Sequence, residues 1–110
     1  MGMDSGGALE AVTVYISIGN SDDKLTQQLW AAFYRSVNTQ VRRHASAVHG
    51  QWVSEPASAW QNACWCIEVH PWQRGLLRGA LQECARIYGQ DSIAWAEVAL
   101  TEFLPPSEQP

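Results

Sequence analysis

Hydrophobic residues change their spacing several times along this chain. From Val12 to Ile18 they occupy every second position, which predicts a strand with one buried face. From Lys24 to about Ala45 they return at every fourth position, which predicts a long amphipathic helix. The expected apolar stripe of that helix comprises Leu25, Leu29, Phe33, Val37 and Val41.

The second half of the chain repeats this change of period. Gly50 is expected to follow the end of the first helix, after which Gln51–Val53 start a second strand. Residues Asn62–Val69 alternate again and predict a third strand, whose Trp65 face turns inward. Pro71 then opens a second helix, because proline suits the first helical turn. The remaining expected features are the apolar stripe Leu76, Leu77, Ala80, Leu81, Cys84, Ile87 and Tyr88, a helix end at Gly89, and a last strand over Ser92–Leu100 with Phe103 as its furthest extension.

The order strand, helix, strand, strand, helix, strand predicts an α+β domain. A long helix between the first two strands makes them parallel through a right-handed crossover, and a short loop makes the next two a hairpin. The expected result is a four-stranded antiparallel sheet of order 4-1-3-2 with both helices on one face, the ferredoxin-like arrangement. We expect a flexible arm over residues 1–10, one domain over 11–104 and a flexible tail over 105–110.

Charge and cysteine content narrow the classes of function. The net charge of −4 and pI of about 5.2 argue against a nucleic-acid partner, which would require a basic surface. No apolar run approaches the roughly 20 residues of a membrane helix, and the N-terminus does not resemble a signal peptide. Three cysteines cannot all pair within one chain. These features favour free thiols in the cytoplasm, with no membrane partner.

Three polar loops are expected to meet at one end of the sheet. They follow the first strand, join the hairpin and precede the last strand. Their candidate binding residues are Asn20, Asp22, Asp23, Trp60, Gln61, Asn62, Gln90 and Asp91. Such side chains commonly cap helices and satisfy turns, but the same groups could hold a polar ligand or a divalent ion. Because no ordered carboxylate spacing is present, we predict neither a metal nor a cofactor.

The sheet face away from the helices is the second candidate surface. Tyr15, Cys64, Cys66 and Glu68 are expected to share it, with Trp52 or Trp95 joining them. A mixed face of aromatic and small residues is poorly suited to water, so we predict that two copies pack sheet against sheet as a homodimer. The alternative is that a few exposed aromatic residues are ordinary at a protein surface.

Known catalytic and metal-binding patterns do not match this sequence. His44, His49 and His70 are expected near the opposite end of the sheet, but their spacing matches no zinc motif. Cys64 and Cys66 form a CxC pair on one strand face, which is not the CxxC of redox proteins. No phosphate loop or nucleophile elbow occurs, so no catalytic residue is predicted.

Three segments carry a resemblance to other proteins. Residues Ile18–Leu25, Trp60–Cys66 and Gln90–Trp95 resemble stretches of small hypothetical proteins from actinobacteria and their phages. Those proteins have no assigned role, so the resemblance implies an intracellular origin and no particular chemistry.

Two functional hypotheses remain open. The first is a non-enzymatic, acidic homodimer that contacts another protein through a surface bearing some of the six tryptophans. The second is a small enzyme or ligand carrier, similar to dimeric α+β barrel proteins, with a pocket between the sheet and the helices. That alternative would use His49 or His70 as a base, or Tyr15 as a hydrogen-bond donor.

Overall fold

A computed structural model describes residues 10–20, 24–55 and 60–108 of the chain. Four strands and two helices form an α+β domain, which confirms the predicted fold class and the antiparallel four-stranded sheet. In chain order the elements are β1 (Val12–Gly19), α1 (Gln27–His44), β2 (Ala47–Val53), β3 (Asn62–Val69), α2 (Pro71–Ile87) and β4 (Ala94–Glu97). The predicted N-terminal arm lies outside the described residues, apart from Glu10.

The strands lie in the order β2-β3-β1-β4, and each neighbouring pair is antiparallel. Counted from the β4 edge, the same order reads 4-1-3-2. Tyr15 in the central strand β1 lies between Cys66 of β3 and Ala96 of β4. Strands β2 and β4 are therefore the two edges of the sheet.

Helix α1 begins three residues later than the spacing predicts. Thr26 is its N-cap, and the Thr26 hydroxyl accepts a hydrogen bond from the backbone N–H of Leu29 at 3.2 Å. The backbone of Leu25 is bonded instead to the side chain of Asn20, which holds it outside the helix. Leu25 is nevertheless buried, so the four-residue spacing of apolar residues begins before the first residue of the helix.

The prediction that Gly50 follows the end of the first helix is wrong. The helix ends at His44, and Gly50 lies within β2 beside a β-bulge. The reason is a tertiary contact: the backbone N–H and hydroxyl of Ser46 both donate to the carbonyl of Glu68, which starts strand pairing early. The last strand is shorter than predicted, although the Val98 N–H still donates to Thr13 O at 2.9 Å.

One hydrophobic core lies between the sheet and the two helices. Trp65 is fully buried in it, as the alternation of β3 predicts, and its indole N–H donates to Asn38 Oδ1 at 3.0 Å. The helices share this side, because Phe33 of α1 contacts Tyr88 at the end of α2 with ring centroids 5.3 Å apart. The other large, fully buried side chains are Ile16, Ile67, Leu77, Val14, Val37, Val41 and Val69.

Each helix buries a narrower stripe than its sequence predicts. Helix α1 buries Phe33, Val37 and Val41, whereas Leu29 is half exposed. Helix α2 buries Leu77, Leu81 and Cys84, whereas Leu76 and Ile87 are exposed. A single sheet covers only one side of each helix, so apolar residues beside the central row stay in solvent. Among the described residues, no helix has the length and apolar character needed to cross a membrane.

Candidate interaction surface

The polar end of the sheet is organised around one buried amide. Asn20, only 2% exposed, follows β1, and its Oδ1 accepts from the Leu25 N–H while its Nδ2 donates to Leu25 O, each at 3.0 Å. The Asn20 backbone N–H also donates to Gln61 O at 2.8 Å. Because Asn20 closes the loop after β1, the buried loop atoms keep their hydrogen bonds.

Gln61 extends this network to the surface. Its Oε1 accepts from Asn20 Nδ2 at 3.0 Å, and its Nε2 donates to Gln27 Oε1 at 2.7 Å. Asn62 is exposed and bonds locally, with Nδ2 donating to Trp60 O at 2.9 Å. The structure thus brings three predicted residues, Trp60, Gln61 and Asn62, together with Asn20. Gln27 joins them without having been predicted, and the polar groups mainly satisfy one another.

The remaining polar residues predicted at this end are more dispersed. Asp91 pairs with Lys24 at 3.6 Å, and the amide of Gln90 donates to the carbonyl of Tyr88 at 3.1 Å. Trp60 is 67% exposed. Asp22 and Asp23 lie outside the described residues. Ligand binding at this end stays a prediction.

The open face of the sheet, opposite the helices, consists of two cross-strand rows. The first row runs from Gly50 through Cys66 and Tyr15 to Ala96. The second row runs from Trp52 through Cys64 and Ser17 to Ala94. We call these eight residues the open face. Glu68 lies one row further, opposite Thr13, so all four residues predicted for this face point away from the core.

Two aromatic side chains protrude from the open face, and its other six residues have small side chains. Tyr15 is 41% exposed and Trp52 is 54% exposed. The Trp52 ring leans over Gly50, where an added Cβ would lie 3.0 Å from the ring carbon Cη2. On the β4 side of this face lies a strip of small side chains, which we call the lane. It consists of Ser17, Ala94 and Ala96.

The thiols of the open face differ in exposure. Cys66 is 9% exposed although it lies on this face, whereas its neighbour Cys64 is half-buried. Hydrogen bonding with the Cys66 side chain raises the pKa of the Tyr15 phenol above its usual 10.0. A phenol is uncharged at physiological pH, and this shift keeps Tyr15 so at still higher pH.

The sequence predicted that Trp52 or Trp95 joins the open face. Trp95 does not join it. It pairs with Ile16 and therefore faces the helices. There, the guanidinium of Arg78 lies 5.1 Å from the ring centroid of Trp95. Trp52 joins the open face, as its i, i+2 relation to Gly50 and its pairing with Cys64 require.

The three histidines make separate contacts. His49, the extra residue of the bulge in β2, places Nε2 2.8 Å from Glu68 Oε2 at one end of the open face. His44 contacts Gln73 at 3.2 Å, and the ring of His70 stacks on Trp72. Within the described residues, no group of three potential metal ligands comes together. Sequence spacing missed the His49–Glu68 pair, because the register that brings β2 beside β3 is set by tertiary pairing.

Three surface grooves border these features. A groove of about 420 Å³ lies between α2 and the start of β4. A second, of about 350 Å³, runs beside Trp52 and Cys64 on the open face. The third, of about 250 Å³, lies between α1 and the polar end and includes Tyr34, Gln61 and Asn62. No sequence pattern predicts the first groove, since its two walls come from separate elements.

Comparisons with known proteins bear on the fold alone. No protein-family model matches the chain. No curated protein matches it. Among solved structures, it is similar to the de novo designed protein Foldit4, with a TM-score of 0.57 and 14% identity over 84% of this chain and 100% of that one.

Two natural proteins are also similar in structure. The C-terminal domain of the MgtC protein from Mycobacterium tuberculosis matches with a TM-score of 0.54 and 8% identity, over 88% of this chain and 94% of that domain. A dimeric ferredoxin-like protein from an uncultured marine organism has a TM-score of 0.37 and 8% identity, over 90% of this chain and 96% of that one. At such identities the first two matches, Foldit4 and the MgtC domain, support the α+β fold and indicate no function.

Proposed function

We propose that this chain is a non-enzymatic interaction protein of ferredoxin-like topology that pairs with a second copy through its open face. The observation that carries the proposal is the combination of Trp52 and Tyr15 with a lane of small residues on one uncovered sheet face. Such a face loses little by leaving water, and aromatic side chains contribute strongly to interfaces.

The open face has the shape that a two-fold contact needs. In such a contact the same surface meets itself, so each protruding side chain requires a recess on the same face. The Trp52 ring of one copy would enter the lane formed by Ser17, Ala94 and Ala96 of the other. The one carboxylate in the neighbouring row, that of Glu68, is already paired with His49 and so resists burial less.

The rival hypothesis of an enzyme or ligand carrier needs a pocket between the sheet and the helices. In the described residues that layer holds packed side chains, among them Trp65, Phe33 and Leu77. The grooves instead lie at the surface. This packing favours binding at an outer face over binding of a small ligand within the domain.

The proposal extends to the cellular compartment and to a further partner. Free thiols at Cys64, Cys66 and Cys84 suit the reducing cytoplasm. Trp60 and Trp72, 67% and 69% exposed, are not among the eight residues of the open face, and we propose that they contact another protein.

The test compares Trp52→Asp with Trp72→Asp by light scattering over a range of protein concentrations. Both tryptophans are more than half exposed, at 54% and 69%, but only Trp52 lies on the open face. We expect Trp52→Asp to halve the molar mass of the wild-type assembly and Trp72→Asp to leave it unchanged. Circular dichroism must show that both variants are folded. An unchanged mass for folded Trp52→Asp contradicts the open-face proposal.

A further inference from the structure

The two edges of the sheet differ in how they are protected. The β2 edge is interrupted by the bulge at His49, which disfavours pairing with another strand. The β4 edge, Ala94–Glu97, has no bulge, proline or lysine along it. Although β4 is short and ends in Glu97, an edge without those interruptions can accept a strand from another chain.

A groove runs beside the β4 edge on its helix side. It has a volume of about 420 Å³, and Leu81, Ala85, Ile93 and Trp95 give it apolar walls. The arginines Arg78 and Arg86 of α2 also line it, together with Asp91, whose carboxylate is paired with Lys24. Its composition therefore suits an apolar segment that carries negative charge.

The chain itself contains a segment of that composition. After β4, residues 98–104 belong to no helix or strand, and we call them the C-terminal arm. Leu100, Phe103 and Leu104 of this arm are 79%, 89% and 83% exposed. The arm also carries Glu102, and two prolines that favour an extended backbone follow it. Three large apolar side chains in a row of seven residues are costly to leave in water.

The arm cannot easily reach the groove of its own chain. It leaves β4 at the end where Val98 bonds to Thr13, whereas the groove lies beside the start of β4, from Gln90 to Trp95. A return would need a tight turn, yet no glycine, proline, asparagine or aspartate occurs from Val98 to Leu104.

We infer that the C-terminal arm of one copy docks in the β4 groove of a second copy, whose arm docks reciprocally. When two β4 edges meet antiparallel about a two-fold axis, the end of one strand lies beside the start of the other. Each arm then leaves its own strand directly at the partner's groove. Seven extended residues span about 23 Å, whereas the four-residue strand needs only about 13 Å.

The chemistry of arm and groove is complementary. Leu100, Phe103 and Leu104 can bury their side chains against the apolar walls of the groove. Glu102 brings a carboxylate to the wall that holds Arg78 and Arg86. Of these two arginines, Arg86 already pairs with Glu83, while Arg78 lies over Trp95, so Arg78 is the better placed to receive the arm.

This contact goes beyond the open-face proposal, because it uses the sheet edge rather than the sheet face. The two contacts are compatible, since they occupy different surfaces. If each copy makes both and the two two-fold axes cross at right angles, four copies assemble as a closed group, and loss of either contact leaves pairs.

The decisive experiment measures molar mass by light scattering for Phe103→Asp and for the control Thr101→Asp in the full chain. Both positions are exposed and lie in the arm, but only Phe103 presents an apolar side chain for burial. We expect Phe103→Asp to halve the mass and Thr101→Asp to leave it unchanged. If Phe103→Asp keeps the wild-type mass, the arm is not exchanged and the inference is overturned.

A groove variant and a double variant complete the design. Ala85→Glu adds negative charge to the groove and should reproduce the effect of Phe103→Asp. Combining Phe103→Asp with Trp52→Asp should leave the single 12.2 kDa chain. If Trp52→Asp alone changes nothing while Phe103→Asp gives the single chain, the open-face proposal fails and arm exchange stands. If Ala85→Glu keeps the wild-type mass while Phe103→Asp lowers it, the arm binds elsewhere and the inference is wrong.

Discussion

Asn20 Nδ2 donates a hydrogen bond to Gln61 Oε1 at 3.0 Å and so joins the chain after β1 to the chain before β3. The same amide group bonds to Leu25 O, which places one buried side chain at the meeting point of three segments. This arrangement indicates that Asn20 stabilises the end of the sheet, whatever binds there.

Replacing Asn20 by alanine should therefore destabilise the fold. The change leaves the buried N–H and carbonyl of Leu25 without their partner, at a cost of about 1–3 kcal/mol for an unsatisfied buried group. Urea unfolding of Asn20→Ala and Asn62→Ala makes the comparison, since Asn62 is an exposed asparagine in the same region. Equal losses in the two variants would contradict a special role for Asn20.

Two adjacent leucines of α2 should respond very differently to truncation. Leu77 is fully buried and Leu76 is 58% exposed. Leu77→Ala should cost about 2–5 kcal/mol because it leaves a cavity in the core. Leu76→Ala should change the free energy of unfolding by less than about 0.5 kcal/mol. Chemical denaturation measures both, and a similar cost for the two would show that α2 is rotated from the position described.

Two glycines, one within α2 and one just after it, should give opposite effects when changed to alanine. Gly75 lies within α2 with nothing close to an added Cβ, so Gly75→Ala should stabilise the protein by about 0.5–1 kcal/mol. Gly89 follows the helix with a φ of +64°, where a side chain is strained, so Gly89→Ala should destabilise it by about 1 kcal/mol. Thermal unfolding monitored by circular dichroism shows the sign of each change. Changes of the same sign would exclude this explanation.

Gly50→Ala should disturb the open face more than the fold. The new Cβ would lie 3.0 Å from Trp52 Cη2, and the half-exposed ring must swing away from the sheet. Because the ring can move into solvent, the free energy of unfolding should change by less than about 1 kcal/mol, while association through the open face weakens. Tryptophan fluorescence and light scattering test this together. A large loss of stability with unchanged association would be the opposite result.

The three thiols should react with an alkylating reagent in a definite order. Burial raises the pKa of the Cys84 thiol above its usual 9.0, so little thiolate forms there. Cys64 is half-buried and should react first, with Cys66 and Cys84 following slowly. The order can be followed by intact-mass spectrometry over time on the Trp52→Asp variant, because its open face should not be covered by a second copy. Adding Cys64→Ser should remove the fast phase of labelling. Rapid labelling of Cys84 would contradict its burial.

The pKa shift of Cys84 also predicts a dependence of stability on pH. The folded state disfavours the thiolate, so its pKa in the folded chain lies above the value in the unfolded chain. The corresponding contribution to stability is complete below about pH 9.0 and is lost as the pH rises above that value. Cys84→Ala should show a smaller loss of stability over the same alkaline range.

Much of the architecture follows from the sequence because hydrophobic period is a local property. The alternation over Asn62–Val69 predicts β3 to the residue and turns Trp65 inward, and Pro71 marks the first residue of α2. A strand alternates every two residues and a helix every 3.6, so neighbouring positions alone distinguish them. The meeting of Asn20 with Gln61 also follows, since strand order brings those loops to one end.

Only the tertiary structure decided the features that depend on distant partners. The bonds from Ser46 to Glu68 start β2 early, and the bulge after Val48 places Gly50 and Trp52 on the open face, which no local pattern indicates. The same holds for the narrow buried stripe of each helix and for the groove between α2 and β4. Pairing and burial are settled by whichever element lies opposite, and the spacing of residues along one element carries no information about that opposite surface.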